Sequence, residues 1–141
     1  MSIRIYYDKI NFRVHRSGEI KKFLEKVITD ENKAAGDLKI IFTSDEILLD
    51  INRKFLSHDY YTDVISFNYT ESESITGEIY ISAEALKRNA GIYKVAVYEE
   101  TWRIMIHGVL HLCGYNDGNE RDKKIMITMQ EEKVREFVGN N

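Results

Sequence analysis

His107 and His111 stand four residues apart in the most apolar stretch of the chain, which runs from Trp102 to Cys113. Four residues advance an α-helix by about 400°, so the two imidazoles share one face, a turn apart, within reach of one ion. Leu112-Cys113-Gly114 follows, and Gly114 is a natural left-handed residue just past a helix end. The chain can turn back there and bring Asp117 to the same ion as a third ligand. Two imidazole nitrogens and one carboxylate oxygen suit zinc and leave a fourth position open. An open position is what a catalytic site needs and a purely structural site does not. A histidine pair at this spacing is weak evidence alone, but imidazoles in so apolar a segment need partners. Asp117 also has a plainer reading, since Tyr115-Asn116-Asp117-Gly118 is strong turn chemistry.

The remaining candidates are thinner. Gly108 follows His107, so the glutamate base of a His-Glu-x-x-His protease is missing, which counts against peptide hydrolysis. His15 and His58 fall in loops and read as solvated, with His58 a reserve ligand. Cys113 is the sole cysteine and lies about 200° round the helix from His111, so it reads as core. A single cysteine also excludes a disulfide framework and a thiolate metal cluster.

These residues must be positioned by the elements around them. Ser2–Tyr7 alternates as a strand. A helix opens at Ser17 as N-cap and carries Ile20, Phe23, Leu24, Val27 and Ile28 at helical spacing. Asp37–Thr43 is a β-branched strand. Ser44-Asp45-Glu46 opens a second helix, with Ile47, Leu48, Ile51 and Phe55 predicted on its inner face. Leu56–Tyr61 is a loop. Asp63–Tyr69 and Gly77–Ser82 form a hairpin across the polar turn Glu71–Thr76. A short helix runs from Ser82 to Asn89 and stops near Gly91. Val95–Cys113 is a long helix, apolar nearly all round and therefore central. Asn119–Val138 is a last amphipathic helix, ended by Gly139-Asn140-Asn141. The order predicts an α+β fold, one mixed four-stranded sheet packed with helices.

The 141 residues suffice for one domain with a real core, and a single domain over 1–141 is expected. Apolar residues make up 43% and charged residues 30%, an ordinary globular balance without a bilayer-spanning run. The opening MSIRIYYDKI lacks a signal-peptide layout, so a cytoplasmic location is expected. Net charge is −3, so any nucleic-acid partner requires a local basic surface.

The stretch His107-Gly108-Val109-Leu110-His111-Leu112-Cys113-Gly114-Tyr115-Asn116-Asp117 resembles the signature of the YbeY family, His-Gly-x-Leu-His-Leu-x-Gly-Tyr-Asp-His. Thr62-Asp63-Val64-Ile65-Ser66-Phe67 is similar to that family's Thr-Asp-Val-Leu-Ser-Phe strand, and Gly77–Ser82 to its Gly-Asp-Ile-x-Ile-Ser strand. Met126 and Glu131 fall where the family's last helix carries Met and Glu, so the likeness runs from about Ile51 to Glu132. The resemblance implies a zincin-like α+β fold with one zinc, held by three histidines at the end of a buried central helix. It implies an endoribonuclease acting on single-stranded RNA, in 3′-end maturation of small-subunit ribosomal RNA and in ribosome quality control. Three positions depart from the family pattern. Asp117 stands for the third histidine, Leu56 for an arginine six residues before the threonine, and Tyr61 for a proline. Arg53, a helical turn before Leu56, is the candidate substitute.

The resulting expectation is zinc on His107, His111 and Asp117, with His107 and Arg53 catalytic. Attack on phosphorus by activated water and attack by the RNA's own 2′-hydroxyl both remain open. Tyr60, Tyr61, Tyr69 and Tyr115 read as base-stacking candidates or as ordinary half-buried tyrosines. Lys87 and Arg88, with Arg53, Lys54 and Lys94, read as phosphate contacts or as solvated helix faces. Expected partners are single-stranded or ribosomal RNA and a ribosomal protein, without a membrane. Two other classes stay in view, a non-catalytic ribosome-assembly factor with a structural metal, and a metal hydrolase of small phosphoesters or amides.

Overall fold

The computed structural model describes residues 2–139. The elements follow in the order β1 (Ser2–Tyr7), α1 (Ser17–Asp30), β2 (Ala34–Thr43), α2 (Asp45–Phe55), β3 (Val64–Asn68), β4 (Ser74–Ser82), α3 (Ala83–Tyr93), α4 (Val97–Leu112) and α5 (Glu120–Gly139). The strands make one four-stranded sheet in the order β1-β2-β4-β3. β1, β2 and β4 run parallel, and β3 pairs antiparallel with β4 as the expected hairpin. The α+β class and the mixed sheet are as the sequence predicts.

Pairing places alternate residues on one face. Ile3 lies beside Leu38, Ile40 beside Ile79, and Phe42 beside Ile81. These side chains are buried under Ile20, Leu24, Val27 and Ile28 of α1 and Met105, Ile106 and Val109 of α4, in one apolar cluster. α4 is thus the central helix, packed by α1, α3, α5 and the sheet. Trp102 anchors its first half and donates its indole N–H to the carbonyl of His15 at 2.9 Å. Gly108 explains how α4 lies so close to β4. A Cβ built there would meet Ile79 carbon atoms at 2.9 Å, which only glycine avoids. The helix-propensity penalty of glycine, about 1 kcal/mol, is accepted in exchange for that approach.

Several expected boundaries move, for tertiary reasons. β2 starts at Ala34 and β4 at Ser74, because Ala34–Ala35 ladder with Ser74–Ile75 and bury Ile75. α3 continues through Gly91 to Tyr93 and is closed by Lys94 in the left-handed region, φ 57°. α4 accordingly starts at Val97 rather than Val95. Ser17 is not the N-cap of α1; Arg16 holds that place at φ 58° without a side-chain cap. Ser44 does cap α2, accepting from the Ile47 N–H at 3.3 Å. The predicted inner face of α2 is corrected. Leu48, Leu49 and Asn52 point inward, and Phe55 is 68% exposed. The Asn52 side chain donates to the Tyr60 carbonyl at 2.9 Å, an inward polar role that apolar periodicity does not reveal. The expected terminator Gly139-Asn140-Asn141 lies mostly outside the described residues. Among those residues, no helix is long and apolar enough to cross a membrane.

Candidate metal centre

The site is built by the way α4 ends. Gly114 adopts φ +110°, its N–H donates to the His111 carbonyl at 3.0 Å, and the Tyr115 N–H donates to the Leu110 carbonyl at 3.1 Å. This is the paired closure that a left-handed residue after a helix permits. Asn68 of β3 donates to the Leu112 carbonyl at 3.2 Å and ties the helix end to the sheet. The chain reverses, and Asp117 Oδ2 comes to 3.4 Å from His111 Nε2. The imidazoles of His107 and His111 meet edge to face, their centroids 5.2 Å apart. His107, His111 and Asp117 each offer a donor atom within 4.8 Å of the others'.

The donor set, two imidazoles and one carboxylate, could hold a metal ion. Tetrahedral zinc with bonds of about 2.0–2.2 Å holds its donor atoms roughly 3.3–3.6 Å apart. Asp117 is the adjustable member, since its side chain is 51% exposed on a turn while both histidines are fixed on α4. Burial pushes the His107 imidazole below its ordinary pKa, and the neighbouring His111 acts in the same sense, against a hydrogen bond to Gln130. A neutral imidazole is the form that ligates.

His107 also leads into a polar chain. Its Nδ1 lies 2.7 Å from Gln130 Oε1 on α5. Gln130 Nε2 donates to Glu131 Oε2 at 2.9 Å. Glu131 in turn accepts two hydrogen bonds from Arg103, at 2.9 and 3.1 Å. Arg103 donates also to Glu99 and Glu100, each at 3.1 Å.

A groove of about 620 Å³ runs beside His107. Its floor is the α4 stripe Glu100, Arg103, Ile104 and His107, at helical spacing. Lys123, Ile127 and Gln130 of α5 form one wall, and Asp63, Asn89 and Tyr93 belong to the other. Next to it, Arg121, Lys123 and Lys124 line a second depression on the first turns of α5.

The structure places the other predicted site residues elsewhere. Arg53 forms an ion pair with Asp59 on the loop after α2. Tyr61 is exposed and donates its hydroxyl to Glu46 Oε1 at 2.9 Å. Arg88 pairs with Asp45 at 2.8 Å, and Lys87 faces a separate depression beside Lys9 and Phe12. The Tyr115 ring packs against the core, and burial, with Glu31 nearby, pushes its hydroxyl above the ordinary tyrosine range. None of these five lines the groove. His58 stacks on Tyr60, centroids 5.0 Å apart, and is outside the metal-ligand group. Cys113 packs against the core as expected, and burial pushes its thiol up to about 11.

Sequence reasoning missed Gln130, Arg103 and Lys123. A signal for the first existed. Met126, Val134 and Phe137 are the buried residues of α5, and Gln130 sits between them at helical spacing, a polar residue on an apolar stripe. Arg103 had a local mark, with Glu99 and Glu100 four and three residues before it, but its link towards His107 runs through Glu131 on another helix.

Comparison with known proteins is consistent along nearly the whole chain. The family described as Endoribonuclease YbeY matches residues 5–138, further in both directions than the motif likeness. A protein named Endoribonuclease YbeY from Flavobacterium psychrophilum is 43% identical over 129 residues, covering 92% of this chain and 92% of its own length. One of the same name from Christiangramia forsetii is 40% identical over 132 residues, covering 94% and 92%. The solution structure of TM1509 from Thermotoga maritima superposes with a TM-score of 0.70 at 28% identity, covering 98% of this chain and 90% of that one.

Proposed function

We propose, because this chain belongs to the YbeY endoribonuclease family, that it is a metal-dependent endoribonuclease that cuts single-stranded RNA. The observation that carries the reading is the convergence of His107, His111 and Asp117, with His107 also lining a groove. We assign zinc to this set, from two imidazoles and one carboxylate, and ribosomal RNA maturation and quality control as the setting. The metal, when bound, supplies Lewis-acid chemistry, stabilising charge on a phosphoryl oxygen and activating the nucleophile.

The chain's own residues do the rest. His107 and His111 hold their rings at fixed spacing on a helix buried against the sheet, so the site is preorganised. Asp117 contributes a negative charge that a third histidine would not, which favours retention of a cation and moderates its acidity. Lys123 on the groove wall, with Arg121 and Lys124 beside it, offers the local basic surface that a chain of net charge −3 needs for a phosphate backbone. Arg103 is neutralised by Glu99, Glu100 and Glu131, so the groove floor does not attract phosphate; its apolar lining, Val64, Ile104, Ile127 and Tyr93, suits a splayed base. Arg53 enters the reading as a catalytic residue only if a phosphate displaces Asp59 from its guanidinium. Tyr61, Tyr115, Lys87 and Arg88 are proposed contacts of a longer RNA outside the groove.

The test is cleavage of a single-stranded RNA by zinc-replete protein, beside a His107→Ala/His111→Ala variant prepared identically. Cleavage by the parent alone establishes a metal-dependent ribonuclease. Salt-dependent RNA binding without cleavage by either replaces it with a non-catalytic assembly factor. Equal cleavage by both identifies a contaminating nuclease.

A further inference from the structure

We propose that Gln130 is a positioning residue for the metal centre: its side-chain amide fixes the tautomer of His107, so that Nε2 carries the lone pair offered to the ion. The inference rests on reading His107 as a metal ligand, and goes beyond it by assigning a role to a residue that binds no metal.

The argument runs inward from the far end of the polar chain. Arg103 cannot lose its proton and has no acceptor atom. It engages both oxygens of Glu131, Nε to Oε2 at 2.9 Å and Nη2 to Oε1 at 3.1 Å. That fork holds Glu131 as a carboxylate, which only accepts. Glu131 Oε2 also lies 2.9 Å from the Gln130 amide, so the amide must present its NH₂ there. The opposite orientation would set two acceptor oxygens against each other. With the NH₂ directed to Glu131, the amide oxygen faces His107 Nδ1 at 2.7 Å. An oxygen acceptor at that distance requires a proton on Nδ1. In the neutral imidazole Nδ1–H leaves Nε2 unprotonated, the ligating form.

Every link is set by a neighbour that has one option, so the tautomer is fixed before any ion arrives. The anchor is Arg103, which is also tied to Glu99 and Glu100 on its own helix at 3.1 Å each. The chain crosses from α4 to α5 and back, and it couples the docking of α5 to the readiness of His107. A partner of this kind typically changes metal affinity by about 10- to 100-fold when removed.

The experiment has two readouts that do not depend on RNA cleavage. The first is the tautomer of His107 in metal-free protein, from imidazole nitrogen chemical shifts. The second is the dissociation constant for zinc, from chelator competition. The parent is expected to show Nδ1–H at His107. In Gln130→Ala the Nε2–H form should appear, and zinc should bind about 10- to 100-fold more weakly. Gln130→Glu keeps an oxygen acceptor for Nδ1 and should retain Nδ1–H, although its second oxygen is set against Glu131 and the link to Arg103 is lost. Met126→Ala truncates a buried residue one turn earlier on α5 and should lower the melting temperature while leaving tautomer and zinc affinity as in the parent. Nε2–H in the parent, or an unchanged tautomer in Gln130→Ala, overturns the proposal. So does an unchanged zinc affinity in that variant. A parent that shows Nδ1–H, dependent on Gln130, but binds no zinc removes the metal reading and leaves the orienting role of Gln130 standing.

Discussion

The C-terminal end of α4 and the segment from Arg53 to Thr62 both carry residues to which the family likeness gives a function, and they are built in opposite ways. At the end of α4 each group has a partner supplied by another element. Asn68 of β3 holds the last carbonyl, Gln130 of α5 holds His107, and the Gly114 turn returns Asp117. From Arg53 to Thr62 the contacts are mostly local and exposed, with Arg53 on Asp59 and Tyr60 on His58. The link that reaches inward there is Asn52, which donates to the Tyr60 carbonyl. The comparison teaches that the departures from the family pattern differ in weight. Asp117 keeps an adjustable side chain but is returned to two histidines fixed on α4, while Leu56 and Tyr61 sit exposed beside no such framework.

The sharpest break of this comparison is by activity. With His111 ligating the ion as proposed, His111→Ala should lower RNA cleavage at least about 100-fold, more than the loss of an outer partner. Tyr61→Ala, in the other segment, should change cleavage only a few-fold. A single-turnover assay on one RNA compares the two directly.

Stability should separate the regions next. Gly108→Glu would push a carboxylate against Ile79 and bury a charge without a partner, which costs about 3–5 kcal/mol. Leu56→Glu, on the loop, should stay within about 0.5 kcal/mol. Urea unfolding of both variants checks this, and the first result also bears on chemistry. The position after His107 faces the sheet, so a glutamate there has no room to serve as a base.

pH resolves the same contrast more finely. Cys113 belongs to the buried region, and its thiol is raised from 9.0 to about 11 by burial. Between those values the unfolded chain releases the proton and the folded chain retains it. The thiol's contribution is therefore full below pH 9 and lost as pH rises towards 11, on the order of 1–3 kcal/mol. Cys113→Ala should flatten that part of the alkaline stability curve. In acid the His107 shift acts with the other sign. Its lowered pKa means that the unfolded state takes up protons first as pH falls below 6.5, so metal-free protein loses stability there.

Much of the site was legible because its signals are short in range. The spacing of His107 and His111 and the left-handed Gly114 need only helix geometry, and the hairpin of β3 and β4 needs only alternation. What failed depended on contacts between distant segments. Phe55 fits the apolar period of α2, yet that helix turns Asn52 inward to hold the Tyr60 carbonyl and leaves Phe55 outside. Lys87 and Arg88 read as a basic pair, but Asp45 at the start of α2 captures Arg88 on α3. Lys123 became visible as a groove residue only when α5 was laid against α4. Charge and period belong to a segment, whereas a binding surface belongs to the packing of several.

The smallest expected effects test whether the exposed segment does anything for RNA. Lys123→Ala/Lys124→Ala should weaken RNA binding several-fold and reduce the salt slope by about two, because each lysine answers to one phosphate. Arg53→Ala should reduce the slope by at most about one, since its guanidinium already holds a carboxylate that RNA must displace. Asp59→Ala isolates that competition. If Arg53 contacts phosphate, freeing it from Asp59 should tighten RNA binding about two- to three-fold at low salt and steepen the slope. If it does not, Asp59→Ala should bind RNA as the parent does, and the function assigned to Arg53 by its nearness to Leu56 falls. Leu56→Arg in the same background then asks whether the segment accepts the family's arginine: a gain in cleavage without a gain in affinity would mean that the position serves the reaction itself.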